Sequence, residues 1–136
     1  MNTDLSICII DLDHFKNVND TYGHVVGDDV LRQTAAICRK HLRTVDIIGR
    51  LGGEEFVALL PETTIHQAMM IGNRLLEALS TTDIDTGATV IRITATIGIS
   101  QLLQGDKDFN AIIQRADTAL YRGKEAGRNR VEVNLM

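Results

Sequence analysis

Two adjacent carboxylates, Glu54 and Glu55, follow a Gly52-Gly53 pair, and Phe56-Val57-Ala58-Leu59-Leu60 then forms an apolar run stopped by Pro61. Upstream, Asp46-Ile47-Ile48-Gly49-Arg50-Leu51 is a short extended segment. The glycine pair therefore reads as a hairpin turn, where positive φ costs glycine little. Like charges crowded at a tight turn either face water or hold a cation. A further acid, Asp11, ends the first apolar run of the chain. The hairpin can lie beside that end, so that Asp11 and Glu54 converge on one divalent ion. Mg2+ suits such a pair, because it prefers oxygen ligands, keeps several waters and needs one or two carboxylates beside substrate phosphates. No cysteine-histidine spacing suggests zinc instead. Asp13 is either a weaker ligand or a structural group bonding the turn that follows it.

The chain has 136 residues, the size of one domain with a core of its own. Apolar residues make up 44%, with one proline and no tryptophan, which suits a mixed fold. A net charge of -4 argues against a surface for polymeric nucleic acid, since such modules are usually basic. A nucleotide monomer is not excluded, because a metal and a few local cations can carry its phosphates. Cys8 and Cys38 lie in apolar contexts and read as core residues of a reducing compartment. The start Met1-Asn2-Thr3-Asp4 has no basic n-region, and no apolar run approaches the ~18 residues of a membrane span.

Periodicity supplies the elements that must position these groups. Leu5 to Leu12 is a strand with Ile7, Ile9 and Asp11 on one face and Cys8, Ile10 and Leu12 on the other. Phe15 to His24 reads as a short turn-rich segment, leading into a helix from near Gly27 with Leu31, Ala35, Cys38 and Leu42 at helical spacing. After the hairpin, Thr64 to Gln67 is a capping box that opens a second helix. Ser80 to Ala88 reads as a polar loop, and Thr89 to Ser100 alternates strictly as a strand. Phe109, Ile112, Ile113, Ala116 and Leu120 mark a last helix ended by Gly127, and Val131-Glu132-Val133 closes as an edge strand. The order β-α-β-β-α-β-α-β predicts an α+β fold: a ferredoxin-like antiparallel sheet with helices packed around it, plus an added helix and strand.

Gly52-Gly53-Glu54-Glu55-Phe56 resembles the signature of the GGDEF-domain, or diguanylate cyclase, family in its Gly-Gly-Glu-Glu-Phe form. The resemblance extends over nearly the whole chain. It takes in Asp11-Leu12-Asp13-His14-Phe15-Lys16, Asn17 through His24, Gly27-Asp28, Leu31, Arg115-Ala116-Asp117, Tyr121 and Lys124 through Asn129. It implies a palm-like fold and condensation of two GTP into cyclic di-GMP with release of two pyrophosphates. Residues 1–136 are then a single catalytic domain of this type. The resemblance further implies that Asp11, the Leu12 carbonyl and Glu54 hold Mg2+ or Mn2+. Glu54 or Glu55 accepts the proton of the attacking hydroxyl, and the sequence does not separate those roles.

By the same resemblance, guanine selection falls to Asn19 and Asp28, since an ionised carboxylate accepts well from the two adjacent donors of a guanine edge. The alternative for these two is a turn residue and a helix N-cap. His24 is a ribose contact or a turn histidine. The His14-Phe15-Lys16 turn can offer backbone N–H groups and a charge to phosphates. Lys124 and Arg128 match the family's positions for the terminal phosphates, although basic groups at a helix C-terminus also complement its dipole. Arg43-Thr44-Val45-Asp46, ahead of Gly52, matches an inhibitory product site, with Arg74 as a further arginine of it. The expected assembly is a two-fold homodimer with one GTP per protomer, binding cyclic di-GMP at the inhibitory site, in the cytoplasm. The resemblance implies a helix and an Asp-x-Leu-Thr-x-Leu-x-Asn-Arg stretch before the first strand. The expected domain is one without that helix or an upstream sensor, since only Met1 to Asp4 precede the strand in this sequence.

Overall fold

A computed structural model describes residues 3–135. Five strands form one sheet: β1 (Leu5–Leu12), β2 (Ile47–Gly52), β3 (Glu55–Pro61), β6 (Ala95–Gln101) and β7 (Arg130–Asn134), in the order β2-β3-β1-β6-β7. The central strand, β1, runs antiparallel to both β3 and β6, while β7 lies parallel to β6 at the edge. Four helices complete the main body: α1 (Phe15–Tyr22), α2 (His24–Lys40), α3 (Ile65–Thr81) and α4 (Phe109–Glu125).

The two-residue period of β1 divides the core. Cys8, Ile10 and Leu12 join a large cluster with residues of α1, α2 and α3. Ile7 and Ile9 face the other way, onto Ile112, Ala116 and Leu120 of α4. A strand covered on both faces reads as apolar throughout until its last polar residues, which is why Asp11 stands out so sharply at its end. The α+β, palm-like sheet agrees with the order read from the sequence; the added helix, α4, covers the face that the other three leave open.

Three local readings differ. The segment Phe15 to His24 is not a turn but the helix α1, and α2 begins directly at His24, before Gly27. The break between them is Gly23, at φ 89°. Asn, Asp and Thr carry turn preferences, but Phe15 and Val18 bury one face of the segment, and that packing prevails over weak local propensity. The loop read at Ser80 to Ala88 starts inside α3 and then contributes β4 (Ile84–Asp85), which pairs with β5 (Val90–Ile91) as a separate two-stranded ribbon. The strand read over Thr89 to Ser100 is therefore two strands. Ile91, Ile93, Ala95, Ile97 and Ile99 all enter the same cluster, so the alternation records burial and not the hydrogen-bonding partner.

Caps and clamps fix the ends. The Thr64 hydroxyl accepts from Gln67 N–H at 3.3 Å, and Thr64 N–H donates to the Gln67 side chain at 2.9 Å, a complete capping box. From within α4, Arg115 donates two hydrogen bonds to Asp106, at 2.8 and 2.7 Å, and a third to the Gln101 carbonyl at 2.9 Å. The two bonds from Arg115 to Asp106, with one from Leu103 N–H, lower the Asp106 pKa to about 2. A carboxyl whose pKa is depressed on folding contributes stability above its ordinary value, near 3.8, and loses it as pH falls towards about 2. Asp106→Asn is therefore expected to melt below the parent near neutral pH. The gap in melting temperature should close as pH is lowered through that window. A gap that stayed constant with pH would contradict the clamp.

Candidate active site

The register of β1 against β3 sets Asp11 directly opposite Glu55, so the hairpin stands beside the end of the central strand. The Leu12 N–H donates to the Glu54 carbonyl at 3.3 Å and ties the turn to that end. Glu55 opens β3, whereas Glu54 lies in the turn itself, outside the strand alternation. Glu55 shares the α4 side with Asp11, whose carboxylate accepts from Lys124 Nζ at 2.6 Å. Partial burial, then the Asp11 carboxyl beside it, raises the Glu55 pKa to about 7. Burial also raises that of Asp117, two turns earlier than Lys124 on α4, with Lys124 opposing the shift and Asp11 adding to it. A carboxyl titrating near neutrality can both take and give a proton.

Glu54 lines a cavity of about 390 Å3, together with Phe15, Lys16, Asn19, Asp28, Leu31, Arg50 and Gly53. Asn19 sits in α1 with its side chain against the bare Cα of Gly27, where a Cβ would overlap it. Asp28 lies inside α2, well past the N-cap at Gly23, so the capping alternative for Asp28 falls away. Lys16 is exposed at the start of α1, following His14, which takes the left-handed φ of 56°. His24 is exposed at the start of α2, outside the residues that line this cavity.

Asp13 is a buried structural acid, but its partners are not in the following turn. It accepts from the hydroxyls of Thr94 and Thr96, both at 2.6 Å, and from Asn129 N–H at 3.0 Å. The last bond holds the loop after α4, where Gly127, Arg128 and Asn129 all have positive φ and Arg128 N–H donates to the Gly123 carbonyl at 2.9 Å. Asp13 thereby positions the segment carrying Arg128. Sequence reasoning also missed Arg50, which donates to the Gly53 carbonyl at 2.6 Å and braces the turn. Its one sequence signal is its place two residues before the glycine pair.

A separate constellation lies at the start of β2. Asp46 is buried and spends both oxygens on Arg43, accepting its backbone N–H at 2.8 Å and its guanidinium at 2.7 to 3.1 Å. Arg43 also reaches Thr63 Oγ1 at 2.7 Å. Arg74 donates to the His41 carbonyl at 2.9 Å, and with Arg43 it lines a cavity of about 290 Å3. The two arginines face this space, while Asp46 stands behind Arg43 and orients it.

Asp11, Glu54 and the Leu12 carbonyl are all hard oxygen donors, a set that fits Mg2+ or Mn2+ better than a softer metal. Among the described residues no cluster of three or more His, Cys, Asp or Glu is placed as a metal cage. Such a cage is not what Mg2+ needs when substrate oxygens and water complete its shell.

The family described as "Diguanylate cyclase, GGDEF domain" matches residues 1–130. Diguanylate cyclase DgcP of Pseudomonas aeruginosa is 43% identical over 130 residues, covering 96% of this chain and 19% of that protein. Diguanylate cyclase A of Treponema denticola is 41% identical over 130 residues, covering 96% of this chain and 35% of its own length. The chain thus spans about a fifth to a third of these curated relatives. Among solved structures, the active GGEEF domain of a diguanylate cyclase from Vibrio cholerae superposes with a TM-score of 0.90 at 33% identity, over 98% of this chain and 85% of that one. The GGDEF domain of DgcB from Caulobacter crescentus, in complex with c-di-GMP, gives 0.90 at 30% identity, over 97% and 78%. With the family matched over almost its full length and its signature turn standing at the end of the central strand, the chain belongs to the diguanylate cyclase GGDEF-domain family.

Proposed function

We propose that this domain condenses two GTP molecules into cyclic di-GMP. The observation that carries the reading is one of position. Asp11, the Glu54-Glu55 turn and a cavity presenting Asn19 and Asp28 all meet at one end of β1. In each of two steps a ribose 3′-oxygen forms a bond to the α-phosphorus of the other nucleotide, and the bond to pyrophosphate breaks. The hydroxyl proton passes to one of the turn glutamates. Asp28 accepts from the guanine edge and Asn19 adds an amide beside it, while Lys16 and the backbone at His14 and Phe15 face the phosphates. Arg128, on the loop that Asp13 holds, extends towards the terminal phosphates, and Lys124 sits on Asp11. Asp11, Glu54 and the Leu12 carbonyl would hold Mg2+ or Mn2+, which supplies charge neutralisation and a lower hydroxyl pKa. One cavity holds one GTP, so the reaction calls for two protomers facing each other about a two-fold axis. Its substrate assigns the domain to the cytoplasm; no helix among the described residues is long and apolar enough to cross a membrane.

Guanine reading is testable by binding alone. Asp28 is exposed in the open cavity, but a bound base would cover it, and an acceptor desolvated in this way and left unpaired against the wrong base discriminates strongly. Asp28→Ala should lower the preference for GTP over ATP by at least about tenfold, measured by calorimetry with each nucleotide. An equal loss for both would make Asp28 a shape-determining residue and not a base reader.

Arg43 and Arg74 form an inhibitory product site in this reading. Guanidinium groups stack on bases and grip phosphates, and Asp46 holds Arg43 ready to do so. Arg43→Ala should weaken cyclic di-GMP binding about tenfold or more and relieve inhibition, with the KM for GTP unchanged. Product binding as tight as the parent's would remove the site from the account.

A further inference from the structure

A second cavity, of about 430 Å3, lies between α2 and β2, behind the turn. Leu31, Ile48 and Phe56 give it an apolar floor, and Arg32, Arg39 and Arg50 line it as well. The three arginines are exposed, and of the three only Arg32 is ion-paired with a described residue, Asp29. Arg39 donates to the Ile48 carbonyl at 3.4 Å and Arg50 to the Gly53 carbonyl, both neutral acceptors that leave the positive charge uncompensated. Asp28, Leu31 and Arg50 stand at the end shared with the nucleotide cavity, and Asp28 would repel an anion from there. The volume is that of a small-molecule site, too small to seat a folded partner.

We propose that this groove binds a small aromatic anion: a planar apolar body on the floor, with its acidic group directed away from Asp28 towards Arg39 and Arg50. A charged acceptor makes a stronger bond to a guanidinium than a neutral carbonyl does. The occupant therefore competes with the Gly53 carbonyl for Arg50 and loosens the turn that carries Glu54. The binding itself is independent of the catalytic reading; only its consequence for turnover rests on it.

The probe is 2-naphthoate, titrated into 15N-labelled protein while amide shifts are followed. Saturable movement is expected at Ala36 and Gly49, which line the groove, accompanied by movement at Gly53 and Glu54. Ala36→Trp, which fills the groove from an exposed helix position, and Arg39→Glu, which reverses a charge, should each weaken binding by about tenfold or more. The neutral 2-naphthamide should bind more weakly by a similar factor. Several results would overturn the proposal: no saturable shift, equal binding of the amide, or no effect of either substitution. So would shifts confined to Lys16 and Asn19 that GTP abolishes, since the probe would then occupy the nucleotide cavity. If Ala36 and Gly49 moved while Gly53 and Glu54 did not, the link to the turn would be refuted. A failure of the catalytic reading would leave all of these readouts unchanged.

Discussion

Glu54→Gln is expected to reduce cyclic di-GMP formation by at least about a hundredfold, while the melting temperature stays within a few degrees of the parent. The amide keeps the shape of the side chain and removes the negative charge. Glu54 lines the cavity, and its backbone carbonyl, not its side chain, is what accepts from Leu12. The substitution therefore leaves the hydrogen bond that ties the turn to β1. What it removes is one of two carboxylates available to a divalent cation and a possible acceptor for the hydroxyl proton. Asp11→Asn should act in the same direction but less cleanly, because Asp11 also holds Lys124. Turnover at the parental rate in Glu54→Gln would remove Glu54 from the chemistry.

The second large effect is on the fold. Gly98 of β6 pairs with Ile9 and faces α4, and the helix approaches it so closely that a methyl group has no room. A Cβ built there lies 2.5 Å from Leu120 N and 2.9 Å from Leu120 Cα, and it overlaps the Ala116 carbonyl. All three are backbone atoms, so no rotamer change relieves the clash. Overpacking a core typically costs about 1–3 kcal/mol; here the whole helix must move away from the sheet, so Gly98→Ala should cost more than about 3 kcal/mol. Small domains hold only about 5–15 kcal/mol in all, so a large fall in the urea midpoint is expected. Loss of α4 packing would also displace Lys124 from Asp11. A midpoint equal to the parent's would show that α4 does not sit where the structure puts it.

What could be read from the sequence was what is contiguous. The glycine pair, the two glutamates and the flanking apolar runs lie within the fifteen residues 46–60, and a hairpin needs no distant partner to be recognised. Asp11 was visible because a carboxylate interrupts a run that is apolar on both faces. Asp28 was nominated by its place in a motif, and only the true start of α2 at His24 removes its capping alternative. The Asp13 network was not legible, since its partners lie 81, 83 and 116 residues away and none is marked by local pattern. Arg50 was missed for a different reason: its contact is local, but an arginine near a turn usually signifies only an exposed surface. α1 was misread because its composition favours turns, and two buried side chains decide otherwise. Asp46 illustrates the same limit. Its spacing from Arg43 was plain, yet whether it met a ligand or Arg43 depended on a side-chain geometry that sequence does not specify.

The most direct test of the catalytic reading is the product itself. Two copies of the chain, held together by fusion to a parallel dimeric coiled coil so that dilution does not separate the half-sites, are incubated with GTP and Mg2+. The nucleotides are then identified by mass. The expected result is cyclic di-GMP with two pyrophosphates for each molecule formed, and none from the Glu54→Gln fusion. GTP recovered intact, or converted only to GDP, by a folded parental fusion would contradict it.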